Sequence, residues 1–258
     1  EVAARLREGM RAGEAIAAVF STYAASQGKP RWGDKTPLYM QYLPLLERLF
    51  PAALYVHLVR DGRDAALSYL DMPEGIMTEA WGHPRDAAGF ACLWRSEVRS
   101  ARKLGRRVGP ARYLEVRYEA LVSSPEAELE RICAFAGLPF EPALLAYAGT
   151  VDLAGKPHQQ RLARPPTPGV RDWRTELAPR ATTAFERIAG DLLCELGYET
   201  RNVPPTRASL ATRARRERYR VQTTAWRSAG ELVQRSPLWR RRHPAHPVVN
   251  HDNVLNRP

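Results

Sequence analysis

Two short stretches carry residues suited to anion chemistry. In the first, Arg60 follows an apolar run at residues 53–59, and Ser68 lies eight residues further on. With the run as a strand and the following residues as a helix, Arg60 sits at the strand end, where ligands bind in a parallel sheet, and Ser68 lies in the helix that follows. There a guanidinium can grip a phosphate through two parallel hydrogen bonds, and the hydroxyl and the free helix N–H groups add donors. The competing reading is a surface ion pair of Arg60 with Asp61. In the second stretch, Lys35 stands in the run Arg31, Trp32, Gly33, Asp34, Lys35, Thr36, Pro37. Thr36 suits a helix N-cap and Pro37 the first helical position, where a missing N–H costs nothing. An ammonium on a flexible stem beside a positive helix end suits an anionic group undergoing transfer. The competing reading is a solvated lysine next to a capping threonine.

The elements that must position these residues follow from periodicity. Apolar residues Val2, Leu6, Met10, Ile16, Val19, Phe20 and Tyr23 predict a helix over 2–26, broken at Gly28. A second helix is expected from Thr36 to about Phe50, ended by Pro51. The nearly continuous apolar run 53–59 predicts a strand buried on both faces, as in a parallel sheet. A turn at 60–63, a short helix over 64–70, a long helix over 87–104 and a second strand over 112–116 follow. Two strands separated by helices need a crossover, so a parallel α/β sheet is expected. A helix over 125–136 has Ser124 as cap and Gly137 as stop. Residues 149–172, rich in Gly, Pro and Arg, read as a long loop. Phe185, Ile188, Leu192, Leu193 and Leu196 predict an amphipathic helix over 181–196, and residues 207–220 read as helical.

The chain of 258 residues carries a formal charge of +11, from 39 Lys+Arg and 28 Asp+Glu. The excess is local. Residues 201–258 hold 13 arginines against Glu217, Glu231 and Asp252, a net of +10, which leaves +1 for residues 1–200. No apolar run approaches membrane-spanning length, and no signal-peptide pattern opens the chain. Cys92, Cys133 and Cys194 have neither metal spacing nor a disulfide framework and are read as buried free thiols, which points to a reducing, cytoplasmic compartment.

Together the two stretches and their spacing resemble the PAPS-dependent sulfotransferases, which use 3′-phosphoadenosine 5′-phosphosulfate, and most closely the bacterial members and the tyrosylprotein sulfotransferases. The matching stretches are 32–37, 56–68, and 113–122 with Pro125 and the helix end at Ala136, Gly137 and Leu138. The last is Trp173 with Leu177, closing on Leu196, Gly197, Tyr198 and Glu199. The resemblance covers about residues 28–205. It implies a P-loop-NTPase-like three-layer α/β fold with a central parallel sheet over 1–205; outside it, the charge distribution reads residues 206–258 as a helical basic C-terminal extension. The resemblance implies PAPS as sulfonate donor, with no metal. Arg60 and Ser68 would hold the 3′-phosphate, and Lys35 would contact the bridging oxygen and the sulfonate. Tyr118 matches a tyrosine near the cofactor or is a core residue, and Trp94 is a packing residue. Arg161, Arg164 and Arg171 of the long loop are phosphate contacts or solvated. The acceptor would be a hydroxyl or amine of a small molecule, carbohydrate, lipid or peptide, met by loops 71–86 and 149–172.

The sequence also departs from the family. A first strand and a Gly/Ser/Thr-rich loop cradling the 5′-phosphosulfate normally lie well upstream of the lysine stretch. Only 34 residues precede Lys35 here, and they read as helix, so the domain is expected to be truncated at its N-terminus. Where one family arrangement places a histidine base, two residues after the lysine, Pro37 stands; Asp34 and His83 are the base candidates. Two other readings remain. One is a non-catalytic family member acting as a scaffold. The other is a nucleic-acid or membrane-surface module run by Arg213, Arg215, Arg216, Arg218 and Arg220, with Tyr219 and Trp226, though no base-reading motif accompanies them.

Overall fold

The computed structural model describes residues 5–72, 84–146, 167, 169–201, 208–237 and 241. The first helix, α1 (Ala12–Ser26), starts later than its apolar spacing predicts. Gly9 sits at φ 83, which interrupts helix, and Glu14 accepts the Arg11 N–H at 2.9 Å to open a new one. The single helix expected over 36–50 is divided into a 3-10 turn at Pro37–Gln41 and α2 (Leu43–Leu49). Pro44 has no N–H to continue the hydrogen-bond ladder, so the chain breaks at Tyr42.

β1 (Tyr55–Val59) leads through a turn into α3 (Gly62–Leu70), then comes the long α4 (Ala87–Val108), and then β2 (Tyr113–Arg117). The two strands pair in parallel, with Tyr55 opposite Tyr113 and Val59 opposite Arg117. Parallel neighbours cannot be joined by a tight turn, and α3 and α4 form the crossover. The sheet has two strands among the described residues. β1 is not buried on both faces as expected. His57 and Val59 are covered, whereas Val56 and Leu58 are 46% and 50% exposed, because side chains alternate across a strand and the described helices cover one side of it.

Beyond β2 come α5 (Tyr118–Ser123), α6 (Pro125–Ala136), α7 (Trp173–Glu176), α8 (Pro179–Glu195) and α9 (Leu210–Arg235). α6 has the expected bounds and ends at Gly137 with φ 64, although the Ser124 side chain does not cap it. The core lies between α4 and α8. Ala88, Ala91, Trp94 and Val98 on α4 meet Phe185, Ile188, Ala189, Leu192 and Leu193 on α8, both stripes at helical spacing. Cys92 and Cys133 are buried, but Cys194 falls off the buried stripe of α8 and is exposed.

α9 is longer than predicted, and its first half packs on α4 and α8. Arg216 donates to the Ile188 carbonyl at 3.0 and 2.5 Å and to Asp191 at 3.1 Å, and Tyr219 packs against the main core. The first half of α9 is therefore docked on the helical core. Arg220 pairs with Glu217, while Arg213, Arg215 and Arg218 are exposed. The Trp226 side chain lies outside the described residues. No helix among the described residues is long and apolar enough to cross a membrane.

Glu97 on α4 is partly buried near Tyr69 of α3 and Tyr219 of α9. It has no hydrogen bond or ion pair among the described residues, and burial pushes its carboxyl up to about 7. The same burial, with Glu97 nearby, pushes the Tyr69 phenol up to about 12. A raised carboxyl favours folding fully below its unfolded value of 4.5, and that contribution is lost as the pH rises to about 7. Glu97→Gln is therefore expected to melt like the wild type at pH 4.5 and to be more stable at pH 8, by on the order of 2 kcal/mol. A difference in melting temperature that is constant across this range would reject the account.

Candidate functional site

The strands end on the same side, and the residues that follow them build one cluster. Arg60 leaves the end of β1, its Nη1 donates to Ser68 Oγ on α3 at 3.3 Å, and its guanidinium lies 4.7 Å from the centre of the Tyr118 ring at the start of α5. Three residues from two strand-to-helix transitions thus converge beyond the carboxyl ends of a parallel sheet, the usual ligand position in such folds. The set contains a guanidinium and a hydroxyl, donors that suit a phosphate, with an aromatic face stacked on the guanidinium. Arg60 is partly buried, and its carbonyl accepts the Trp94 Nε1–H at 3.2 Å.

The turn that carries Arg60 is built around a buried ion network. Asp61 does not pair with Arg60; it caps α3 by accepting the Arg63 N–H at 2.9 Å, and it takes two further bonds from the Arg63 guanidinium, from Nε at 3.0 Å and Nη2 at 2.7 Å. Arg63, fully buried, also donates to Glu186 Oε1 at 2.6 Å and to the Glu199 carbonyl at 2.7 Å. Its guanidinium stacks 3.5 Å from the Trp173 ring centre. Asp64, one turn before Ser68, accepts the Trp173 N–H at 2.8 Å, and burial pushes its carboxyl up to about 6.

The lysine stretch is anchored separately. Trp32 stacks on Phe20 of α1 at 4.7 Å between ring centres and meets Phe50 edge-on at 5.7 Å. Arg31 reaches the Ala136 carbonyl at the end of α6. The Thr36 hydroxyl, rather than capping the 3-10 turn, donates to Asp34 Oδ2 at 3.0 Å. A hydrogen bond to Asp34 also raises the Tyr39 phenol. Lys35 is exposed and makes no hydrogen bond or ion pair among the described residues, including none to Arg60 or Ser68.

Of the residues singled out by sequence, Arg60, Ser68 and Tyr118 come together, while Lys35 and Asp34 sit on a separate anchored segment. Arg171 is held by Asp71 and by Glu176, with Nη1 at 2.8 Å from the latter, and these hydrogen bonds push its guanidinium further up. His83, Arg161 and Arg164 lie outside the described residues. Among the described residues no group of three or more His, Cys, Asp or Glu could hold a metal ion. Two contributors escaped the sequence reading: Trp94 as a donor to the Arg60 carbonyl, and the Arg63–Glu186 pair. An aspartate two residues before an arginine at a helix start was the one local hint of the latter.

The model of the sulfotransferase family matches residues 3–142, more than half of the chain. The chain is 28% identical over 239 residues to nodulation protein NoeE of Sinorhizobium fredii, covering 81% of this chain and 55% of that protein. It is 30% identical over 116 residues to protein-tyrosine sulfotransferase A of Caenorhabditis elegans, covering 45% of this chain and 30% of that one. The chain thus spans about half or less of the length of these curated relatives. Among solved structures, the sulfotransferase domain from the Synechococcus PCC 7002 olefin synthase aligns with a TM-score of 0.53 at 29% identity, covering 71% of this chain and 64% of that one. The sulfotransferase domain from the curacin biosynthetic pathway shares the fold, with a TM-score of 0.53 at 24% identity, covering 72% and 69%. With a family match over more than half of the chain, including both parallel strands and the helices that join them, the chain belongs to the sulfotransferase family.

Proposed function

We propose that residues 1–205 form a sulfotransferase body that binds 3′-phosphoadenosine 5′-phosphosulfate, and that residues 206–258 are a basic extension whose first part docks on it. The observation that carries this reading is the Arg60 guanidinium held between the Ser68 hydroxyl and the Tyr118 ring. Its donors fit the 3′-phosphate, and the Tyr118 face fixes the plane of the guanidinium. When bound, the donor supplies a sulfonate group to a hydroxyl or amine of a small-molecule or peptide acceptor.

Lys35 supplies positive charge to the leaving phosphate, and its exposure leaves the ammonium free to reach an anion. Asp34 was a base candidate. Its carboxylate is already engaged by Thr36 and Tyr39, which favours a role in orienting the lysine segment.

Calorimetric titration with adenosine 3′,5′-bisphosphate tests the site. Arg60→Ala is expected to weaken binding about 10- to 100-fold, from the loss of charge-assisted hydrogen bonds, with an unchanged circular dichroism spectrum. Ser68→Ala is expected to cost less, about threefold to tenfold. Unchanged affinity in Arg60→Ala rejects the assignment.

A further inference from the structure

The peptide joining Arg60 to Asp61 is held from both sides by side chains outside the anion-binding set. From α4, the Trp94 Nε1–H donates to the Arg60 carbonyl at 3.2 Å. From α5, Glu119 Oε1 accepts the Asp61 N–H at 2.8 Å. The second oxygen of Glu119 accepts the Tyr198 hydroxyl at 3.0 Å and faces the Arg117 guanidinium at 3.5 Å. Arg117 in turn lies 3.9 Å from the Tyr198 ring centre and donates to the Leu196 carbonyl, so Glu119 is itself braced. Trp94 has little room to move. A side-chain carbon at Gly62 would stand 2.6 Å from both the Trp94 and the Phe185 rings, so the turn rests directly on the indole.

We infer that Trp94 and Glu119, the latter braced by Tyr198, are positioning residues for the anion site. Both bond to main chain, so they act on the direction in which the Arg60 side chain leaves the strand and make no contact with ligand. With the peptide fixed, the guanidinium already lies against Ser68 and Tyr118 before an anion arrives, and binding loses little to reorganisation. The inference rests on the proposed nucleotide reading, because it assigns these residues to the 3′-phosphate end of that ligand.

The test is calorimetric titration of Trp94→Phe, Glu119→Ala, Glu119→Gln and Tyr198→Phe with adenosine 3′,5′-bisphosphate, and with AMP, which lacks the 3′-phosphate. Trp94→Phe removes the donor and keeps an aromatic ring in the core, with some loss of packing volume that the melting temperature reads separately. It and Glu119→Ala are expected to weaken the bisphosphate about threefold to tenfold and leave AMP unchanged, the range set by one net hydrogen bond. Tyr198→Phe is expected to lose less than Glu119→Ala. Glu119→Gln is expected to restore near wild-type affinity, since its amide oxygen still accepts the Asp61 N–H and its amide nitrogen can donate to the Tyr198 oxygen. A general packing role would lower the melting temperature and affect both nucleotides alike. Equal losses for both nucleotides, or wild-type bisphosphate affinity in Trp94→Phe and Glu119→Ala while Arg60→Ala loses binding, would overturn the positioning roles and leave the anion site standing. Wild-type affinity in Arg60→Ala would instead remove the nucleotide reading, and these roles with it.

Discussion

Arg63→Met is expected to destabilise the fold by about 3–5 kcal/mol, the usual cost of removing one partner from a buried ionic group. The side chain is fully buried and serves Asp61, Glu186 and the Glu199 carbonyl at once while stacking on Trp173. Methionine fills much of the volume but takes the buried guanidinium away from the Asp61 and Glu186 carboxylates. Lysine is not expected to rescue the fold, because one ammonium cannot present the planar fork that meets these acceptors together. Urea denaturation should show a lower midpoint with an unchanged slope. Arg63→Met combined with Glu186→Gln should recover part of the loss, since one of the stranded charges is then gone. A midpoint equal to the wild type would show that the network contributes nothing net.

Lys35→Ala is expected to lower sulfonate transfer about 100-fold or more while leaving affinity for adenosine 3′,5′-bisphosphate within about threefold, in line with the loss of one charge-stabilising donor. The separation follows from how the segment is anchored. Trp32 between Phe20 and Phe50, Arg31 on the Ala136 carbonyl and Thr36 on Asp34 hold the backbone without help from the lysine side chain. Truncation should therefore remove charge and leave the loop in place. Chromatographic detection of adenosine 3′,5′-bisphosphate released from the donor, with a mixture of hydroxyl and amine acceptors, measures the rate. A lost affinity with an unchanged rate at saturation would move Lys35 from transfer to binding.

How much of this was legible in sequence depended on the range of the interaction. Arg60 and Ser68 were readable because a strand, a tight turn and one helix put them in contact within eight residues. The parallel pairing followed from two apolar runs separated by helices, and the bounds of α6 from Pro125 and Gly137. Tyr118 was placed through resemblance, and its stacking on Arg60 depends on a register between strands that the residues alone do not reveal. The partner of Arg63 lies 123 residues away, and no local pattern names Glu186. Trp94 read correctly as packing, being buried at the α4–α8 contact, yet its N–H points at the Arg60 carbonyl only because α4 crosses over the turn. The later start of α1 and the break at Tyr42 came from single residues, Gly9 and Pro44, acting against an otherwise helical pattern.

The Arg60 turn also sets a timetable for folding. Its strand, helix and tyrosine are all made by residue 118, but the Tyr198 hydroxyl that braces Glu119 lies 79 residues further along, and the Glu199 carbonyl that meets Arg63 lies 136 residues from it. During synthesis the chain through α6 leaves the ribosome with Arg63 lacking the partners supplied by α8 and the segment behind it. Contacts of such sequence separation close late, because the chain between them must lose its freedom first. The anion site is thus completed near the end of the body's synthesis, and a nascent chain that stops before residue 199 has the signature residues without the frame that holds them.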